Sequence, residues 1–139
     1  MLTAPASMLV FENAAGRVEA DPAGFMRSHW GPAPRTLAET QALLQHLSQG
    51  MRRHGWPLVL INQVEMTPFS PEEQAWITQQ WLPAAVREAG YRAGAIVLAT
   101  DIYSRLATAF VTTNVHGLPI RYRSFDDEST ALAWLLRQR

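Results

Sequence analysis

Residues 57–90 carry the strongest structural signal in this chain. Leu58-Val-Leu-Ile61 is a short apolar run bounded by Pro57 and Asn62. Such a run suits a strand covered on both faces. After a loop comes Ser70-Pro-Glu-Glu73, in which Ser70 offers an N-cap oxygen, Pro71 suits the first helical position and Glu73 can bond back to the Ser70 backbone. A helix then runs to Gly90. Strand, loop and capped helix form the unit from which α/β sheets are assembled.

The flanking sequence extends this unit in both directions. Met8–Phe11 reads as a first strand, and Gly16, three residues past Asn13, suits a hairpin turn that returns Arg17–Ala20 antiparallel. Asp21-Pro-Ala-Gly24 is a second turn by composition, and Phe25–Trp30 extends the meander. Gly31-Pro-Ala-Pro34 is a stiff connector. Thr36 and Glu39 repeat the capping-box spacing, and Leu37, Leu43, Leu44, Leu47 and Met51 share one helical face. Arg52, Arg53 and His54 suit the negative end of that helix, and Gly55 suits a left-handed cap.

Ala93–Ala99 reads as another buried strand. Thr100 or Asp101 caps the next helix, in which Ile102, Leu106, Phe110 and Thr113 recur at helical spacing, and Gly117 ends it. In Pro119–Phe125, Ile120 and Tyr122 alternate with Arg121 and Arg123, as expected of an edge strand. Asp126–Arg139 forms a final helix with Leu132, Leu135, Leu136 and Trp134 on or beside its apolar side. The expected fold is a single α/β domain spanning 1–139. It has a mixed sheet with an N-terminal antiparallel hairpin, a parallel centre and about four helices, and residues 1–7 form a loose leading segment.

Composition narrows the chemistry. The 12 basic residues are balanced by 12 acidic ones and the formal charge is zero. No basic face is implied for nucleic acid or an anionic membrane. Every basic residue is Arg, so Schiff-base and phosphate-loop lysines are excluded. Cysteine is absent, which removes thiol nucleophiles, disulfides and thiolate metal sites and fits a cytoplasmic protein. Met1–Met8 has neither positive charge nor a long apolar run, and no run approaches the ~20 residues of a membrane span.

The residues quoted above are similar, as a set, to the STAS-type domain, the fold of anti-sigma-factor antagonists and of sulfate-transporter tails. The likeness is nearest to that family's bacterial relatives of unassigned role. It rests on Leu58-Val-Leu-Ile61, Thr67-Pro-Phe-Ser-Pro-Glu-Glu-Gln-Ala-Trp76, Trp81-Leu-Pro83, Ala95-Ile-Val-Leu98, and Phe125-Asp-Asp-Glu128 with Ala133-Trp-Leu135. The resemblance implies a non-enzymatic regulatory domain acting through protein contact. It places a candidate phosphosite at Ser70, with Thr67 beside it, although Pro-Phe-Ser-Pro departs from the antagonists' Asp-Ser-Gly type of motif.

Each candidate residue also has a plainer role. Ser70 is an N-cap first, since Glu72 and Glu73 already occupy the positive end of the helix dipole. At 100° per residue Trp81, Leu82, Ala85, Val86 and Ala89 share an apolar arc with Ala75. Trp76 falls on the other side, near Gln80, Pro83 and Arg87, and is the candidate partner or homodimer contact. Pro83 is expected to kink or interrupt the helix. His29, His46, His54 and His116 lack metal-ligand spacing, and His54 and His116 suit helix ends. The rim at 62–69, 100–101 and 124–127 carries hydroxyls and acids, but no nucleophile and base in sequence proximity. No cofactor or metal is expected. The competing expectation is a small-molecule binding domain, for an apolar or lipid-like ligand, with a cavity between the helices at 36–54 and 70–89.

Overall fold

The computed structural model describes residues 6–115 and 117–139. His116 and the first five residues of the expected loose segment lie outside the described residues. Six strands form one sheet in the order β1-β2-β3-β4-β5-β6: β1 Met8–Asn13, β2 Gly16–Asp21, β3 Phe25–Trp30, β4 Leu58–Asn62, β5 Ala93–Val97 and β6 Arg121–Phe125. β1, β2 and β3 pair antiparallel, and every later pairing is parallel. The fold is α/β with a mixed sheet, as expected.

The helices are α1 Leu37–His54, α2 Pro71–Trp76, α3 Leu82–Ala89, α4 Ile102–Thr113 and α5 Glu128–Leu136. A π turn, Ile77–Trp81, joins α2 to α3, so they form one rod and, among the described residues, the sheet carries four helices. α1 starts on a complete Thr36/Glu39 capping box and ends on Gly55 at φ 69°, whose N–H bonds Met51 O at 2.8 Å. α4 begins on Asp101 rather than Thr100. It stops at Thr113, short of Gly117, with Asn114 as its cap.

Alternate residues of each strand serve opposite layers. On one face Val18, Met26, Trp30 and Val59 pack with Leu43 and Leu47 of α1, Trp81 of the π turn, Leu82 of α3 and Val111 of α4. On the other face Phe25, Leu58, Leu60, Ala93 and Ala95 pack with Ala131 and Leu135 of α5. Only nine residues long, α5 leaves the β2–β3 end of its face to charge, and there Arg27 pairs with Asp21 at 2.9 Å and Glu128 at 3.1 Å. All of β5 is buried. Gly94 is required within it, because a Cβ there would stand 2.5 Å from Tyr122 Cε1 and 2.6 Å from Tyr91 Oη.

The α-helix is interrupted just before Pro83, as expected, and the interruption takes the form of a π turn: Leu82 N–H reaches Ile77 O, five residues back, and the widened turn closes just before the residue that has no donor. The extra residue also changes the phase. Buried positions recur every fourth residue (Glu73, Ile77, Trp81, Ala85, Ala89), a spacing a plain helix of 3.6 residues per turn cannot hold over this length. Ala75, placed on the apolar arc by a constant 100° step, is exposed for this reason. Trp76 is half-buried against the main core rather than free on the surface.

Candidate functional site

Helix α4 is turned the opposite way to its largest apolar residues. Its inner side is Ser104, Ala107, Thr108 and Val111, an i, i+3, i+4, i+7 set of small residues. Hydrogen bonds dock that side. Ser104 Oγ donates to Met66 O at 2.8 Å, and Thr108 Oγ1 donates to Gln63 Oε1 at 2.8 Å, with Ser104, Thr108 and Gln63 all buried. The recurring set Ile102, Leu106 and Phe110 therefore faces outward, with Tyr103 beside it, at 62%, 61%, 49% and 69% exposure. Isolated exposed apolar residues are common, but these four share one twelve-residue helix and form an exposed apolar patch.

The strand-end rim is closed by the same docking. Gln63 N–H bonds Val97 O at 2.9 Å, Leu98 N–H bonds Phe125 O at 3.0 Å, and Arg105 Nε donates to Ala99 O at 2.7 Å. These bonds tie the loops along the strand-end rim to one another and to α4.

Ser70 and Thr67 are both exposed and lie on one polar cluster whose centre is Arg35. Ser70 is the N-cap of α2: its Oγ accepts from Glu73 N–H at 3.1 Å, and Glu73 Oε1 accepts from Ser70 N–H at 2.7 Å. Arg35 binds the Glu73 carboxylate through two nitrogens, donates to Thr67 Oγ1 at 2.9 Å, and lies over the Trp30 and Phe69 rings. Thr40 also donates to Glu73. Burial pushes the Glu73 carboxyl upward, but hydrogen bonds from Arg35, Thr40 and the Ser70 N–H, with the Arg35 charge, outweigh it and hold the group below its ordinary value. Sequence reasoning missed Arg35 altogether, since a lone Arg in a proline-rich connector carries no local signal.

Beneath α4 the sheet face holds a cavity of about 50 Å³. Ser28, Ile61, Gln63, Trp81, Thr108 and Tyr122 are among its lining residues, together with Leu44 and Leu47 of α1. Burial pushes the Tyr91 hydroxyl upward, and burial does the same to Tyr122, so both remain protonated neutral groups at its edge. This is the place where a cavity between the helices at 36–54 and 70–89 was expected, with α4 as an additional wall.

Among the described residues, no group of three or more His, Asp or Glu is placed to hold a metal ion. Nor is any helix among them long and apolar enough to cross a membrane. His46 stacks on Phe11, with ring centroids 3.8 Å apart, and His54 stacks on Trp56, each at the surface of α1. In comparisons with protein-family models, curated proteins and solved structures, nothing matches this chain.

Proposed function

We propose that the chain is a non-enzymatic interaction domain that docks a protein partner on the outer face of α4. The observation that carries this reading is the outward stripe of Ile102, Tyr103, Leu106 and Phe110. An apolar helix face lying in a partner's groove is a recurring mode of recognition. The chain's zero formal charge removes long-range repulsion from partners of either sign. The candidate contact thus moves from Trp76, which packs on the core, to α4. A regulatory role, with the exposed Ser70 or Thr67 as the modified residue, rests on the STAS resemblance of the chain as a whole, from which Pro-Phe-Ser-Pro departs at the phosphosite motif itself.

Acting by binding rather than catalysis is consistent with how most of the buried polar groups are used: Glu73, Thr40, Gln63, Ser104 and Thr108 are engaged in joining elements, with Ser28 the exception among the described residues. The test is photo-crosslinking in the native cells from a probe at Leu106, with a second probe at the exposed Glu88 as control. One polypeptide of defined mass captured at Leu106, absent at Glu88 and lost in Ile102→Glu, supports the reading. A crosslink to a second copy would make the partner this chain itself. No crosslink specific to Leu106 overturns it.

A further inference from the structure

We propose that the cavity under α4 binds a small uncharged molecule carrying one hydrogen-bonding head on an apolar body. Ser28 carries the inference. It sits in the middle of β3, 2% exposed, and its Oγ has no hydrogen-bond partner in the protein. Its neighbours on that face are Val18 across the ladder and Ile61 on the other side. Packing alone would favour an apolar residue there, because a buried hydroxyl without a partner costs stability. Ser28 lines the cavity, so an occupant can supply the bond that the fold does not.

The rest of the lining sets the chemistry. None of it is charged, so an ion would lose its hydration without a compensating partner. Thr108 and Gln63 bond each other at 2.8 Å across one wall. Ile61, central in the sheet, is kept from full burial, as expected of a side chain facing a space. The π turn contributes Ile77 and Trp81, and such turns recur at functional sites. The volume of about 50 Å³ is several times the ~10–15 Å³ that one water needs, which admits a body of roughly three to five heavy atoms.

The site is separate from the outer face of α4, so it stands or falls independently of the docking reading. The test is an amide-resolved NMR titration of the full chain with 1-propanol, with propylammonium and propionate as charged molecules of the same length. Saturable shifts at Ser28, Gln63, Thr108 and the Trp81 indole with propanol alone are expected. Ser28→Ala should weaken binding roughly 3- to 10-fold, the worth of one neutral hydrogen bond. Val111→Leu, which narrows the space while leaving the Ser28 hydroxyl in the chain, should also weaken it in a chain that remains folded by its spectrum. Non-saturating shifts, equal shifts with the charged molecules, or unchanged affinity in Ser28→Ala would overturn the proposal. So would a site that holds only long-lived water which propanol does not displace.

Discussion

Arg35 Nε lies 2.7 Å from Glu73 Oε2, with the two side chains 3% and 6% exposed. A connector residue outside any helix or strand thereby grips the first turn of α2 and ties it to α1 through Thr40. The pair fixes where the rod starts, and hence where Ile77 and Trp81 meet the sheet.

Removing one partner of this pair should be costly. Arg35→Met leaves the Glu73 carboxylate buried without its cation, which typically costs about 3–5 kcal/mol. Urea unfolding of Arg35→Met, Glu73→Gln and the double variant measures this. The double variant should lose clearly less than the sum of the singles. Additive losses would mean that the pair is not coupled.

The same pair sets an acid sensitivity. Glu73 is held below its ordinary 4.5 in the folded chain, so between that value and its folded pKa the unfolded chain binds more protons. The stability it contributes is complete above 4.5 and is lost as pH falls below that value. Asp21 acts with the same sign below its ordinary 3.8: burial opposes, but the Ala23 N–H and Arg27 hold it down. Unfolding free energies measured from pH 6 to pH 3 should show Glu73→Gln converging on the native sequence as pH drops. A constant gap would contradict the assignment.

The two sides of the molecule should respond differently to truncation. Leu106→Gln on the exposed face of α4 should change stability by no more than about 0.5 kcal/mol. Leu135→Ala, at a fully buried position on the sheet-facing side of α5, should cost about 2–5 kcal/mol. Thermal unfolding of both variants distinguishes them, and a large loss in Leu106→Gln would show that α4 packs the other way round.

Deleting the exposed Gln79 should convert the π turn to plain α-helix. The buried set after Ile77 would then follow at three, four, seven and eight residues, the ordinary amphipathic spacing. The shortened chain should unfold in one cooperative transition with the same helical content. Loss of cooperativity would show that the widened turn is needed for folding.

The legible parts of this protein are those encoded in neighbouring residues. Both capping boxes, the Gly55 cap, the hairpin before Gly16, and the half-exposed alternation of β6 all depend on groups within a few positions of one another. The sense of strand pairing followed from them, because hairpins make antiparallel pairs and strand–helix alternation makes parallel ones. Ser70 was readable as a cap for the same reason.

What remained hidden depends on distant partners. Periodicity finds two faces on α4 but cannot choose between them, and the choice was made by Gln63 and Met66, some forty residues earlier in the chain, which accept from Thr108 and Ser104. Burying these hydroxyls became cheaper than leaving the Met66 carbonyl and the buried Gln63 side-chain amide oxygen unpaired, so the larger apolar face was left outside. Arg35 found Glu73 across 38 positions. The sequence by itself determined the elements and their order, since these are short-range physics. Only the tertiary structure decided which face of α4 meets solvent, where Ser28 lacks a partner, and what Arg35 holds, because those energies exist only once remote segments share a surface.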